Sequence, residues 1–364
     1  REFAIRPEMT PTLARMAAAQ ANSLPRPIKW FSMPRLCRAE RPQRGRLREF
    51  FQWNIDILGD DSVLADAECI FVAADFFKET GLGPEHFVIK INSRALLAAV
   101  LENARLDPAR FDAVYAVLDK RDKVDARTFE EMVGELKLPR PLGDTLLTLG
   151  EARGPEGMKS VRSMVAGHAV GEGCYTDLER LFELLDAMDV GDCCRFDMGV
   201  VRGLAYYTGI VFEAFGKGQL RRAICGGGRY DRLLSDVGGP PMSGTGFATS
   251  DVVIEDLLSE LNKIPTIQSA IELFVIDADP EFFDQVVSLT ARLRRRDHAV
   301  AFSYKRQSIG KQLRQAAGKN ARRVIIVDAK TRSQETVGLK DLATGTQKDV
   351  TVASLLDDPF QPMA

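Results

Sequence analysis

Histidine, cysteine and tryptophan are scarce in this chain, at three, six and two among 364 residues. Two of the histidines (His86 and His298) sit beside predicted strands, so with His168 they leave little material for a Ser-His-Asp hydrolase. The cysteines (Cys37, Cys69, Cys174, Cys193, Cys194, Cys225) include one adjacent pair and no Cys-x-x-Cys. That excludes a zinc-ligand spacing and a disulfide-stapled domain, and reduced thiols of a cytoplasmic protein are expected. No apolar run approaches the roughly 18 residues of a membrane-spanning helix, and no signal core opens the chain. The sequence starts at Arg1 without Met, so a processed or truncated start is expected. Charge of one sign is missing too: 49 Lys+Arg against 51 Asp+Glu leave a net −2. With 45% hydrophobic and 27% charged residues, this is the balance of a soluble globular protein with two or three cores, not of a disordered or collagen-like chain.

The C-terminal stretch separates most cleanly. Residues 264–269 read as a linker, after which apolar strands at 271–276, 298–302 and 324–327 alternate with helices opening at Pro280 and over 309–317. A hairpin is expected at 337–339 against 350–352. This is the pattern of a small parallel or mixed α/β sheet. Between Ser288 and Arg323 eleven basic residues face one acidic residue, Asp297, an asymmetry suited to a phosphate backbone. The middle, about 101–170, reads as helical and inserted, and Thr176-x-x-Glu179 has the capping-box pattern of a helix start. Strands at 28–33, 52–58, 87–91, 195–201 and 210–215 do not alternate with helices, so antiparallel pairing is expected.

Three segments carry chemistry. Between Arg35 and Arg48 six arginines occupy fourteen residues and lie between two strands. Gln43, Arg44 and Gly45 suit a loop tip, with Arg38 and Glu40 on one arm and Arg48, Phe50 and Gln52 on one face of the other. Guanidinium groups for phosphate oxygens, a ring for stacking and a carboxylate for an exocyclic amine are what a triphosphate with an adenine requires. Residues 202–209 place an arginine and two phenols, Tyr206 and Tyr207, near one turn. Residues 223–231 bring three glycines beside Arg229 and Tyr230, allowing close backbone approach. Without Gly-Lys-Ser/Thr these glycines are no phosphate-binding P-loop.

In this order the segments resemble the histidyl-tRNA synthetases, a class II aminoacyl-tRNA synthetase family. The matching motifs are Arg6-Pro7-Glu8-Met9-Thr10, Arg38-Ala39-Glu40-Arg41-Pro42-Gln43-Arg44-Gly45-Arg46, the signature from Arg202 to Tyr207, and Gly227-Gly228-Arg229-Tyr230-Asp231. The resemblance implies an α+β fold: an antiparallel-sheet catalytic core over 1–100 and 171–262, a helical insertion over 101–170, and an α/β anticodon-binding domain over 270–364. It implies histidine binding by Glu8, Thr10, Gln52, Asp56, Tyr206, Tyr207 and Tyr230, and ATP binding by Arg38, Glu40, Arg46 and Phe50. Arg38 and Arg202 would be catalytic, at the α-phosphate. ATP and Mg²⁺, L-histidine and histidine tRNA follow as substrates and cofactor, together with a homodimer in the cytoplasm and no membrane partner.

Two positions depart from the family pattern. Val253 stands where an ATP-binding arginine is usual, and Ala205 where the signature has aspartate. Arg229 is the nearest candidate to supply the charge missing at 253. A second reading, a silent regulatory subunit of an ATP phosphoribosyltransferase, fits less well, because such subunits lack the C-terminal domain and erode the Arg38–Arg46 stretch.

Overall fold

Alternation of inward and outward side chains along Glu49–Leu58 is what a half-buried strand requires, and in the computed structural model this ten-residue strand organises the first of two sheets. Residues 5–201, 206–218, 222–266 and 271–363 are described. The chain divides into two compact units, Arg1–Ile264 and Pro265–Ala364. Among the described residues no helix is long and apolar enough to cross a membrane.

In the first unit, helix α1 (Thr10–Ala18) precedes β1 (Ile28–Ser32), β2 (Arg35–Cys37) and β3 (Glu49–Leu58). Helix α2 (Val63–Glu79), β4 (Phe87–Ser93) and α3 (Arg94–Asn103) lead into α4 (Phe111–Leu118), α5 (Ala126–Glu135), α6 (Arg140–Glu151), α7 (Gly154–Met164) and α8 (Ala169–Ala187). The chain returns through β5 (Cys194–Phe196), β6 (Ile210–Gly216), β7 (Ala223–Arg229), α9 (Leu233–Asp236), β8 (Gly244–Ser250) and α10 (Asp251–Glu260). The sheet order is β1-β3-β8-β7-β6-β4-β5, with β2 paired to β3. Every pairing is antiparallel except β4 with β5. The main apolar core lies between this sheet and α2, α3 and α8, and it runs on without a break into Val114, Phe129 and Leu146 of α4–α6. The helical middle therefore shares the core of the first unit.

Two local expectations give way. Thr176 does not open a helix: α8 starts at Ala169, where the His168 ring nitrogen accepts from the Gly171 amide at 3.1 Å. The Thr176 hydroxyl instead donates to the Glu172 carbonyl one turn back, at 3.1 Å. The strand expected over 195–201 stops at Phe196, because the Asp197 carboxylate accepts from the Gly199 amide in a tight turn. The buried Asn92 amide then takes up the carbonyls of Met198 and Val200.

In the second unit β9 (Leu273–Asp277), α11 (Phe283–Arg294), β10 (Val300–Phe302), α12 (Ile309–Gly318), β11 (Arg323–Val327), α13 (Ala329–Gln334), β12 (Thr336–Asp341), β13 (Gln347–Thr351) and α14 (Val352–Asp357) form a mixed sheet ordered β10-β9-β11-β12-β13. Its two faces bury separate cores, one under α11 and one under α12.

Close strand packing in the first sheet rests on glycine. A Cβ on Gly227 would lie 2.4 Å from the Gly246 carbonyl oxygen and 2.6 Å from both Phe212 Cζ and Phe247 Cβ. Gly227→Ala is therefore expected to lower the urea midpoint by the equivalent of about 3 kcal/mol, the upper part of the usual overpacking cost. Gly134→Ala, with nothing within 4 Å of its Cβ position, is the control and leaves the midpoint unchanged or raised.

Candidate active site

The hairpin of β2 and β3 folds against the segment before α1. The Cys37 amide donates to the Arg6 carbonyl at 3.2 Å, and Arg38 Nε to the Pro7 carbonyl at 3.0 Å. These bonds hold Glu8 over the sheet and enclose a cavity of about 1070 Å³. Its floor is formed by β7 and β8, where Ala223, Gly226, Gly246 and Ala248 present almost no side chain. Gln43 and Arg46 pair across the hairpin tip, as the sequence suggests.

One end of the cavity carries phenols and carboxylates. Tyr206 Oη donates to Glu8 Oε1, and Tyr230 Oη to Asp56 Oδ1. The rings of Tyr206 and Tyr230 meet edge to face at 5.9 Å, and Tyr207 packs on Tyr206 at 4.9 Å. Burial pushes both hydroxyls upward in pKa, so they remain neutral donors. Thr10 and Gln52 complete this end. Asp56 does not line the cavity; it stands behind Tyr230, 2% exposed.

The other end carries guanidinium groups. Arg38 lies over the Phe50 ring at 5.0 Å, and Arg46 pairs with Glu40. Phe50, Gln52 and Asn54 all line the cavity, as residues two apart on a strand should. Of the residues named from sequence, Glu8, Thr10, Gln52, Tyr206, Tyr207, Tyr230, Arg38, Glu40, Arg46 and Phe50 all line this one cavity. Arg202 and Ala205 lie outside the described residues.

Arg229 cannot make up for Val253. It is 7% exposed, and its Nε and Nη2 reach Asp66 Oδ2 at 2.9 and 2.6 Å. Its other bonds go to the Asp60 and Ser62 carbonyls and to Asp231 Oδ1, and Arg229 itself lines a separate cavity. The side chain that does come near the Arg46–Glu40 pair is Arg222, whose pKa is lowered by burial and by the Arg46 charge. Sequence reading did not name Arg222, nor Asn54 and Glu213, which line the cavity. Asn54 shares the parity of Gln52 on β3, and Glu213 is a charge within an apolar strand; both signals were present.

A family model described as Histidyl-tRNA synthetase matches residues 1–252, and one described as Anticodon binding domain matches 272–358. This chain belongs to the histidyl-tRNA synthetase family. The "Histidine--tRNA ligase, chloroplastic/mitochondrial" of Arabidopsis thaliana is 35% identical over 98% of this chain and 72% of its own length. The "Histidine--tRNA ligase" of Opitutus terrae is 37% identical over 96% and 80%. The crystal structure of the histidyl-tRNA synthetase from Nostoc superposes with a TM-score of 0.79 at 22% identity, over 97% of this chain and 82% of that one, a likeness of fold.

Burial pushes the Asp56 carboxyl up to about 7, with the Tyr230 hydroxyl opposing and the Glu8 charge assisting the shift. The unfolded chain ionises this group near pH 4 while the fold keeps it protonated, so its contribution to stability is lost as pH rises from about 4 to 7. Wild-type stability in urea is expected to decline across that window. Asp56→Asn removes the proton linkage and flattens the decline by about 1.4 kcal/mol for each pH unit separating the two values. Parallel profiles for the two proteins would refute the assignment.

Proposed function

We propose that this protein is a histidine–tRNA ligase, which activates L-histidine with ATP and transfers the histidyl group to histidine tRNA. The observation that carries the reading is a single cavity with neutral phenols and carboxylates at one end and arginines with an aromatic ring at the other. Such a cavity can hold an amino acid with an imidazole beside a nucleotide triphosphate. In this reading Glu8, Thr10 and Gln52 take the amino group and backbone of histidine. Tyr206, Tyr207 and Tyr230 face the imidazole, with Asp56 orienting Tyr230 from behind. Phe50 stacks on the adenine, Glu40 accepts from its amine, and Arg46 meets the outer phosphates.

The chemistry asks little proton transfer of the protein. The histidine carboxylate is ionised at neutral pH; one of its oxygens bonds to the α-phosphorus as the bond to pyrophosphate breaks. Catalysis is then alignment, plus donors for the charge that grows on the phosphoryl oxygens. Arg38, and Arg202 by its place in the motif, take that role. Magnesium enters the same reading. The ion needs only one or two carboxylates besides the nucleotide phosphates; Glu40 and Glu213 are in the cavity wall. Bound there, it supplies neutralisation of phosphate charge. A polar imidazole pocket also gives selectivity, since other amino acids would leave its buried groups unpaired.

A homodimer working in the cytoplasm completes the reading, following the family. The regulatory-subunit alternative is weaker, because the anticodon-binding match is present and Arg38, Glu40 and Arg46 are all retained.

Histidine-dependent ATP–pyrophosphate exchange tests the reading directly. Glu8→Gln is expected to raise KM for histidine about 10- to 100-fold, the worth of a hydrogen bond to a charged group, and to leave KM for ATP nearly unchanged. Arg46→Ala is expected to do the reverse. Two variants that impair both substrates equally would argue against a cavity divided in this way, and absence of exchange in the wild type would refute the function.

A further inference from the structure

A buried guanidinium stands behind the tyrosines of the large cavity without lining it. Arg229 ends β7, next to Tyr230, and burying its cation is costly unless the donors are met. Three separate pieces of chain meet them. Nε and Nη2 reach Asp66 Oδ2 in the first turn of α2. Nη1 and Nη2 donate at 3.2 and 2.8 Å to the Asp60 and Ser62 carbonyls, in the loop that follows β3. Nη1 also lies 3.4 Å from Asp231 Oδ1, just past Tyr230. The strand before the Asp60–Ser62 loop carries Asp56, the carboxylate that takes the Tyr230 hydroxyl.

The Arg229 main chain fastens a fourth piece. Its carbonyl accepts from the Thr208 amide at 2.8 Å, and Thr208 directly follows Tyr206 and Tyr207. The Thr208 hydroxyl donates to Asp231 Oδ2 at 2.8 Å and accepts from the Asp231 amide at 3.1 Å. Packing is as close as the bonding. A Cβ on Gly209 would lie 3.1 Å from Arg229 Cδ, and one on Gly228 would lie 3.0 Å from Tyr207 Cδ1. The three phenols at this end of the cavity thus stand on two segments, 206–207 and 230, whose relative placement is set by Thr208, Arg229 and Asp231. A binding constellation works only when its supporting groups hold it within about 0.5 Å of the productive geometry.

We propose that Arg229, with Asp66 and the Thr208–Asp231 pair, is the positioning assembly of the imidazole end. It sets the spacing of Tyr206, Tyr207 and Tyr230, and so governs affinity for histidine without touching either substrate. The proposal rests on the ligase reading and assigns no chemical step to these residues. Thr208→Val in the full chain is the main test, because it removes the hydroxyl and keeps the amide that bonds the Arg229 carbonyl. In ATP–pyrophosphate exchange it should raise KM for histidine about 10-fold, the order expected for losing one hydrogen bond to a charged group. KM for ATP should stay within about twofold, and Thr208→Ser, which keeps the hydroxyl, should restore KM for histidine to within about threefold.

Arg229→Lys keeps the charge but not the planar fork that reaches several partners at once. It should raise KM for histidine about 10- to 100-fold, again with KM for ATP within about twofold; where it fails to fold, the Thr208 variants decide. A merely structural role predicts a different pattern: loss of folded protein lowers kcat and leaves both KM values alone. That pattern in Thr208→Val would overturn the proposal, as would an equal rise in both KM values or failure of Thr208→Ser to rescue. Calorimetric titration with histidine alone keeps the two readings apart. A wild type that binds histidine about 10-fold more tightly than Thr208→Val, yet gives no exchange, would overturn the ligase reading and support the positioning role. A wild type that binds no histidine would overturn both.

Discussion

Strands β7 and β8 approach each other and β3 across glycine, and the site depends on that contact. A Cβ at Gly246 would meet the Ile55 carbonyl oxygen at 2.4 Å and Asp56 Oδ1 at 2.5 Å, just as one at Gly227 would meet the Gly246 carbonyl. Glycine weakens a strand by its entropy and its lack of side-chain packing. Here that cost leaves a floor of nearly bare backbone between Phe50 on one side and the tyrosines on the other. A substrate can lie flat on such a floor and be gripped from the rims.

The rims differ in physical character because their supports differ. At the phenol end the hydroxyls are buried and kept neutral, each committed to a carboxylate, so geometry and neutrality are set before a ligand arrives. Behind Tyr230 the same rigidity continues. Arg229 is locked to Asp66, and Asp231 accepts from the Thr208 hydroxyl at 2.8 Å, which ties the ends of β7 and of the Tyr206–Tyr207 segment to the start of α2. At the arginine end the groups are more exposed, with Arg46 and Glu40 about half open to solvent. Solvated guanidiniums suit flexible phosphates, whereas a buried neutral ring needs a fixed pocket.

Basic residues in the second unit show how far counting charges goes. Eleven cations against one acid between Ser288 and Arg323 read as a surface for nucleic acid, but several of them work within the fold. Arg294 donates through Nε and Nη2 to the Val300 carbonyl, Arg323 to the carbonyls of Pro359 and Gln361, and Arg306 to Asp277. Exposed charge nevertheless remains on Arg292, Arg295, Arg296 and Arg322 as well as on Lys305, Lys311, Arg314 and Lys319, whereas Arg323 is buried.

Much of the site was legible in the chain itself. Parity on β3 put Phe50 and Gln52 on one face, and the order of the Arg6–Thr10, Arg38–Arg46 and Gly227–Asp231 motifs, with Tyr206 and Tyr207, named ten residues that line one cavity. Only the parity on β3 is a local pattern, in which spacing along the backbone decides which way a side chain points; the other residues were named by the resemblance to the histidyl-tRNA synthetases. What spacing cannot decide is which of two faces a partner occupies. Arg229 adjoins Tyr230 in sequence, yet strand alternation sends the one into a buried ion pair with Asp66 and leaves the other in the cavity wall. Arg222, far from Arg46 along the chain, comes near enough to feel its charge only in the folded chain. The Thr176 capping pattern failed for the same reason, since α8, packed under the sheet, begins at Ala169, ahead of that local start signal. Residue type and period determined the chemistry on offer; tertiary pairing, which is non-local and selected by burial, determined which groups were free to use it.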